Sequence, residues 1–355
     1  MILEILSNNI AKEKRKSLYT IYFKTIKLIK YIIFGIIAIV CELLIRKVLI
    51  LIELHEIQAS LISLPISIIL AFYCNVKFNF KIKKNKLLIS ALIFTFISSL
   101  SMFIQFQIKN KFLIYNNYEE NRILMSGLCF IFFYFLHIKF SFKDEIQIGV
   151  AVYANGIDDI NKIYDQIKNF PDFIHIDLVD KTFNPNAKEI DPNQIKLAKK
   201  LWRNKEIHMH IMSKKPDKWI EEYIDTVDKI FFHFESDIII EDVYKKYKLK
   251  SKKLGLAVSC NTNVSNYSNI LEKFKNILLL SIKNPGYSGQ IFEIGSYEII
   301  KKINNNNKKN NYTLCVDGGV NKINVNSLIA DEIVSGSYVL KNQDPIYAIF
   351  NLKFS

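Results

Sequence analysis

Four long apolar stretches within the first 142 residues constrain this chain more than any other feature. They run over residues 31–54, 57–74, 87–108 and 123–138. Each is close to the roughly 20 residues that a helix needs to cross a bilayer. Helices buried in a soluble bundle would carry a polar stripe, whereas residues 61–72 contain only small Ser and Pro interruptions. The pattern therefore predicts four membrane-spanning helices in preference to a soluble helical bundle.

The first apolar stretch has charged residues well inside it, namely Glu42, Arg46 and Lys47. Charges within a membrane span are costly, and they usually face the interior of a helix bundle or reach towards the interface. We therefore expect these side chains to point inward or to lie near a membrane surface.

Lysine and arginine residues flank the four stretches unevenly. They precede the first stretch and follow the second and fourth, whereas the connection over residues 53–58 has none. The residues concerned are Lys12, Lys14, Arg15, Lys16, Lys24, Lys27 and Lys30, then Lys77, Lys81, Lys83, Lys84 and Lys86, then Lys139 and Lys143. Basic loops stay on the cytoplasmic side. The chain is therefore predicted to be a multi-pass protein of the cytoplasmic membrane, with a basic cytoplasmic segment at 1–26 and both termini in the cytoplasm.

The second and fourth stretches end in similar sequences, FYCNVKFNFK (72–81) and YFLHIKFSFK (134–143), which suggests duplicated membrane units. Aromatic and basic residues at such ends anchor a helix at the headgroup level. The candidate lipid-headgroup contacts are Asn75, Lys77, His137 and Lys139. For Asn75 and His137 the alternative is a structural role at the helix end.

Residues 27–143 resemble the GtrA-like family of small four-span membrane proteins. The resemblance lies in FGIIAIV (34–40) of the first span and in the N-x-x-F-x-F pattern that ends the second. It implies a role in cell-surface polysaccharide synthesis, with membrane lipids and a polyprenyl-phosphate-linked sugar as partners.

The overall charge and the cysteines give further limits. The formal net charge is +14, but no arginine-rich or aromatic-interleaved stripe accompanies it, so nucleic acid is not an expected partner. Five cysteines without paired spacing predict free thiols in a reducing compartment.

The C-terminal half alternates short apolar runs with amphipathic segments. Candidate strands cover residues 146–152, 173–179, 206–212, 229–235, 253–259, 276–282, 312–317 and 332–337. Polar residues recur at the C-terminal ends of these strands, namely His175, Asp177, His210, His233, Glu235 and Asp317. Eight strands alternating with helices predict an α/β fold, a (β/α)₈ TIM barrel, in which those ends converge on one site. An open doubly wound sheet is the alternative.

The strand FIHIDLV (173–179) places His175 and Asp177 on the same face. Two titratable groups side by side in a core are costly unless something pairs them. Together with His210 and Asp317, they offer two imidazoles and two carboxylates, which suits one divalent metal ion such as Zn, Fe, Mn or Co. The alternative is core histidines bonded to the backbone, which the matching strand positions disfavour.

Residues 146–355 resemble the ribulose-phosphate 3-epimerase family. The matching motifs are HIDLVDKTFNPN (175–186), HIM (210–212), HFE (233–235), NPGYSGQ (284–290), VDGGV (316–320) and VSGS (334–337). The resemblance implies that His175, Asp177, His210 and Asp317 bind the metal, and that Asp177 and Asp317 are the catalytic acid/base pair. It also implies a substrate-binding set that comprises His210, Gly286, Gly289, Gly318, Gly319, Gly336 and Ser337.

These features predict a membrane-tethered, metal-dependent isomerase. It would epimerise a ketopentose phosphate or related sugar phosphate by 1,1-proton transfer through an enediolate, linked to polysaccharide synthesis or to translocation of a lipid-linked sugar. One departure favours an alternative: Ala151 stands where the family has a substrate-contacting serine. The barrel would then bind a sugar phosphate without catalysis and regulate the membrane part. The sequence specifies neither the sugar, nor the native metal, nor the oligomeric state.

Overall fold

A computed structural model describes the chain as two compact units, Thr20–Asp144 and a second unit formed by Glu145–Ser355 with Met1–Tyr19. The described residues are 2–80, 82, 86–112, 118–142, 146–153, 159–263, 268–306 and 312–354. Four residues used above for orientation, Lys81, Lys83, Lys84 and Lys143, lie outside them.

Four helices occupy the N-terminal part of the chain. They are α1 (Ile2–Leu51), α2 (Glu56–Phe78), α3 (Leu87–Phe112) and α4 (Tyr118–Leu136), and a π-helical turn, His137–Ser141, follows α4. Within the described residues, three segments are long and apolar enough to cross a membrane: Leu18–Leu51, Glu56–Phe78 and Leu87–Ile108. The end of α4 contributes a shorter apolar run, Cys129–Ser141. The fourth span therefore stays a prediction.

Aromatic residues from several helices form the core of this unit. Phe80 and Phe142, which occupy equivalent positions in the two similar sequences at 72–81 and 134–143, stack with ring centroids 4.3 Å apart and planes 6° apart. Phe94 packs in the same core cluster. The two repeated segments thus contribute matching side chains to one core.

Two of the three charges named for the first span, Glu42 and Arg46, point inward as expected. Glu42 is fully buried and receives a bidentate contact from Arg122 of α4, with Nη2···Oε2 at 2.7 Å. Arg46 is also buried and pairs with Glu56 at 2.9 Å, whereas Lys47 is exposed. A buried carboxylate is tolerated in such a helix because it is paired.

The second unit is a closed barrel of eight parallel strands in sequential order, so the predicted TIM barrel is confirmed. The strands are β1 (Gln147–Tyr153), β2 (Phe173–Val179), β3 (Glu206–Met212), β4 (Lys229–His233), β5 (Leu254–Ser259), β6 (Asn276–Leu280), β7 (Thr313–Asp317) and β8 (Glu332–Val334). The helices are α5 (Ile160–Ile167), α6 (Pro192–Leu201), α7 (Asp217–Tyr223), α8 (Ile240–Lys246), α9 (Ser268–Leu271), α10 (Ser296–Asn306), α11 (Ser337–Leu340) and α12 (Pro345–Phe354).

The alternation of side chains along β2 determines what enters the barrel. Ile174, Ile176 and Leu178 belong to the large apolar layer shared with the helices, whereas Phe173 belongs to the cluster inside the barrel. Because successive side chains point to opposite faces, His175 and Asp177 share the inward face of Phe173. The barrel therefore places the two polar residues of β2 in its interior.

Several strands end earlier than the sequence predicts. Strand β4 ends at His233, β6 at Leu280 and β8 at Val334. The residues that follow them, including Glu235 and Gly336, lie in loops at the C-terminal face. Active sites of TIM barrels are built from these loops.

Candidate metal and substrate site

Two histidines and two aspartates meet inside the barrel, at its C-terminal end. The Nδ1 atom of His210 lies 3.4 Å from Asp177 Oδ1 and 3.5 Å from Asp317 Oδ2. The Nε2 atom of His175 lies 3.5 Å and 3.8 Å from the same two oxygens. One ligand atom from each of the four residues lies within 4.8 Å of all the others. The structure thus brings together all four residues that the sequence nominates as metal ligands.

Several atoms of this cluster have no hydrogen-bond partner among the described residues. They are both ring nitrogens of His175, Nδ1 of His210 and Oδ1 of Asp177. An unsatisfied buried polar atom costs about 1–3 kcal/mol. A cation that accepts lone pairs from nitrogen and oxygen removes this cost, and the N₂O₂ donor set suits a divalent transition metal. The residues present therefore fit a divalent metal ion.

The charges of the four residues act on one another. Burial alone would raise the pKa of Asp177, but the His175 and His210 imidazoles lower it to about 2. Burial alone would lower the pKa of His210, but Asp177 and Asp317 raise it to about 9. The two carboxylates therefore create a negative field that attracts a proton or, equally, a cation.

A cavity of about 460 Å³ opens directly above the cluster. Both Asp177 and Asp317 line it, and their exposed fractions are 6% and 7%. The two histidines are fully buried. The carboxylates are thus the members of the cluster that a molecule in the cavity can touch.

Glycines line the wall of the cavity that follows β7. Gly318 and Gly319 have φ values of +104° and +65°, which L side chains rarely adopt. A Cβ on Gly319 would lie 2.3 Å from the backbone nitrogen of Phe292. Glycine is therefore required at these two positions next to Asp317.

Comparison with known proteins identifies the family. The family model for ribulose-phosphate 3 epimerase matches residues 149–340. A ribulose-phosphate 3-epimerase of Buchnera aphidicola subsp. Baizongia pistaciae is 31% identical over 193 residues, which cover 51% of this chain and 82% of the relative. The Bacillus subtilis ribulose-phosphate 3-epimerase is 27% identical over 202 residues, covering 55% of this chain and 92% of the relative.

The chain belongs to the ribulose-phosphate 3-epimerase family. It is thus an isomerase of the carbohydrate-epimerase class, and members of this family generally bind a divalent metal. The GtrA/DPMS transmembrane domain model matches residues 30–145 of the same chain. Together with the three long apolar helices, this match makes the chain a membrane protein.

The predicted substrate-binding residues of this epimerase-family barrel divide into two groups. Those that line the cavity with the two aspartates are Gly286, Gly289, Gly318, Gly319, Gly336 and Ser337. His210 does not line it, because its ring is buried beneath the carboxylates. Ser337 begins a helix of only four residues, Ser337–Leu340, so the dipole of this helix is small.

The NPGYSGQ loop of this family member lies over the cavity and is held together by Gln290. Its side-chain amide donates to the carbonyls of Asn284 at 2.6 Å and Tyr287 at 2.8 Å. Asn184, from the loop after β2, donates to the carbonyl of Gly286 at 3.2 Å. Hydrogen bonds thus stabilise the loop internally and join it to the loop that follows β2.

Two features of the site were not assigned from sequence. Lys341 lines the cavity near Gly336, and no motif pointed to it. His233 and Glu235 were noted as polar strand ends and as part of the HFE motif, without an assigned role, yet His233 contacts His210 directly. The H-x-E spacing at the end of β4 was the signal that could have suggested this contact.

The four candidate lipid contacts differ in exposure. Asn75 is buried and its amide donates to the carbonyl of Ala71 at 2.9 Å. His137 is buried and stacks on Phe94 at 4.2 Å. Lys77 and Lys139 are exposed. Headgroup contact by these residues stays a prediction.

Proposed function

We propose that the barrel is a metal-dependent epimerase that inverts a carbon next to the carbonyl of a ketopentose phosphate or related sugar phosphate. The observation that carries this proposal is the position of Asp177 and Asp317, two carboxylates from distant strands that line one cavity above two buried imidazoles. Inversion needs one group to remove a proton and a second group to return it on the opposite face.

In this reaction one aspartate accepts the proton and the other donates one to the resulting enediolate. Asp177 is ionised at neutral pH, because the His175 and His210 imidazoles lower its pKa against the effect of burial, and an ionised carboxylate can accept a proton. When bound, a divalent ion such as Zn, Fe, Mn or Co, held by His175, His210 and the two aspartates, would stabilise the negative charge that develops on the substrate oxygens.

The phosphate group is proposed to bind at the wall beyond β7 and β8. Backbone N–H groups near Gly318 and Gly319 can approach an anion closely because no Cβ intervenes. Lys341 lines the same cavity and brings a positive charge. Loops after strands seven and eight form the usual phosphate site of TIM barrels.

We further propose that the membrane unit links the epimerase to cell-surface polysaccharide synthesis, with a polyprenyl-phosphate-linked sugar as a partner and with the barrel and both termini in the cytoplasm. The uneven basic flanks support this orientation. A cavity of about 110 Å³ in this unit supports a polar ligand, since Ser101, Gln105 and Arg122 line it. Polar residues within membrane-spanning helices commonly mark a ligand path.

The test uses the full-length protein in detergent micelles, loaded with Mn²⁺ or Co²⁺, and a panel of pentulose and hexulose phosphates in ²H₂O. We expect NMR to detect exchange of the C3 proton for deuterium with at least one substrate. Asp177→Asn and Asp317→Asn should each slow this exchange by roughly 100-fold or more. Asp225→Asn, on an exposed carboxylate outside the cavity, serves as the matched control. Absence of exchange with every sugar in folded, metal-loaded protein would sink the proposal.

A second candidate function is a non-catalytic barrel that binds a sugar phosphate and regulates the membrane unit. Ala151 favours it, because this residue lines the cavity where the family has a serine. In that case a sugar phosphate would bind with measurable affinity, but no proton would exchange.

A further inference from the structure

We propose that His233 and Glu235 are positioning residues that fix the ring orientation and the tautomer of His210, so that its Nδ1 atom always faces the metal position. This inference rests on the proposed metal site. It adds residues that do not touch the substrate, since neither lines the cavity.

A chain of contacts runs from the cluster into the wall of the barrel. His210 Nε2 lies 2.9 Å from His233 Nε2, and His233 Nδ1 lies 2.9 Å from Glu235 Oε2. Both imidazoles are fully buried. The ring of Phe183 covers His233, with centroids 4.8 Å apart.

The carboxylate of Glu235 determines which atom donates in each of these hydrogen bonds. A carboxylate only accepts hydrogen bonds, so His233 must donate from Nδ1, and a neutral His233 then has a lone pair on Nε2. That lone pair can only accept, so His210 must donate from its own Nε2. The hydrogen that His210 loses to a bound cation is then the one on Nδ1, whose lone pair would point to the position beside Asp177 and Asp317 where the cation would be held. The reverse tautomer would put two lone pairs against each other at Glu235.

Glu235 is itself held in place by its other oxygen. Its Oε1 accepts from the backbone N–H of Ser259 at 3.0 Å and from the hydroxyl of Thr262. Both partners belong to the end of β5 and the loop after it. Contacts through His233 and Glu235 therefore connect the ring of His210, on β3, to the backbone at the end of β5.

The two histidine ligands differ in this respect. Neither ring nitrogen of His175 has a hydrogen-bond partner among the described residues, whereas His210 has one on the side away from the cluster. His210 is therefore the preset one of the two histidines that would hold the cation, and His175 is free of such a constraint among the described residues. Hydrogen-bonded partners of ligating histidines typically contribute roughly 10- to 100-fold in metal affinity.

The experiment measures Co²⁺ binding to the full-length protein in detergent micelles, by the visible absorption of the bound ion and by competition with a chelator. Glu235→Gln is the test variant, because an amide can present an N–H to His233 and reverse the chain of hydrogen bonds. We expect its Kd for Co²⁺ to rise roughly 10-fold or more, with a changed absorption band. The ¹⁵N imidazole shifts of His210 should report a loss of the Nε2–H tautomer.

The matched control is Glu206→Gln. Glu206 Oε2 contacts His208 Nε2 at 3.1 Å, so the substitution removes a similar glutamate–histidine contact from β3, away from the cluster. Its Kd and absorption band should stay at the wild-type values. Thermal unfolding of both variants checks that they fold.

The outcomes separate this inference from the proposed function. Unchanged Co²⁺ affinity, spectrum and His210 tautomer in Glu235→Gln would overturn the positioning role, even if the wild type exchanges a substrate proton. Weakened Co²⁺ binding in that variant would uphold the role, even if no sugar phosphate exchanges. Wild-type protein that binds no Co²⁺ would overturn both.

Discussion

Asp177 Oδ1 and Asp317 Oδ2 lie 3.4 and 3.5 Å from the same atom, Nδ1 of His210. The two carboxylates come from β2 and β7, and 140 residues separate them in the chain. Barrel closure brings them together, and their burial would be unfavourable without a positive charge between them. The proposed chemistry of the protein follows from this convergence.

The glycine pair after β7 gives a first prediction, on substrate binding. Gly319→Ala should weaken sugar-phosphate binding by roughly 10-fold or more, since a Cβ there would lie 2.3 Å from Phe292 N and push the loop aside. Gly289→Ala is the control, because Gly289 also has a positive φ, of +78°, but no atom within 4 Å of the added Cβ. Titration calorimetry with a ketopentose phosphate compares the two. Equal weakening would show that backbone strain, and not the close approach, matters.

Restoring the family serine gives a second prediction. Ala151 lines the cavity, and a Cβ on Gly336 would lie only 3.4 Å from its Cβ. Ala151→Ser should raise kcat/KM for a ketopentose phosphate by roughly 10-fold, because the hydroxyl adds a hydrogen bond to substrate. A steady-state assay on the metal-loaded full chain measures this. A decrease would mean that the cavity has adapted to another sugar phosphate.

The ion pair between α1 and α4 gives a third prediction, on stability. Glu42→Ala should destabilise the membrane unit by about 3–5 kcal/mol, because the largely buried Arg122 keeps its hydrogen bonds to Gln105 and Ser126 but loses the negative charge that compensates its own. Glu56→Ala removes the partner of Arg46, but the side chain of Glu56 is 72% exposed. We expect at most about 1 kcal/mol there. Thermal unfolding in detergent micelles compares the two variants. A similar loss of stability in both would contradict the conclusion that the Glu42–Arg122 pair is shielded from solvent.

The acid dependence of stability gives a fourth prediction. Burial alone would raise the pKa of Glu235, but His233, Thr262 and the N–H of Ser259 lower it from 4.5 to about 2. A carboxyl with a lowered folded-state pKa stabilises the protein above its unfolded-state pKa, and this contribution is lost as the pH falls towards the folded-state value. Between about pH 5 and pH 3, the unfolding temperature of the wild type should therefore fall more steeply than that of Glu235→Gln. An equal pH dependence of the unfolding temperature in the wild type and in Glu235→Gln would contradict the lowered pKa of Glu235.

Much of the barrel could be predicted from the sequence because strand β2 and its neighbours have strong local patterns. FIHIDLV has the observed bounds of β2, and its period of two places His175 and Asp177 on one face. The alternation of strands with helices then predicts convergence at one end of the barrel, which is why the four candidate ligands could be named.

Other features depend on contacts that a local pattern does not contain. Strand β4 ends at His233, and the chain then turns so that Glu235 comes back to His233 and reaches Ser259. Loop geometry of this kind is set by packing between elements. Lys341 follows a four-residue helix, Ser337–Leu340, and belongs to no motif. The fourth membrane span stays a prediction, since α4 combines an apolar end with Arg122, which pairs with Glu42.

The most direct test of the central claim is the anomalous scattering from crystals of the full-length protein grown with Co²⁺ or Zn²⁺. We predict one ion per barrel, at roughly 2.0–2.2 Å from a nitrogen of His175, a nitrogen of His210 and one oxygen each of Asp177 and Asp317. The His210 ligand atom should be Nδ1. An ion bound elsewhere, or a shell that lacks either imidazole, would contradict the account.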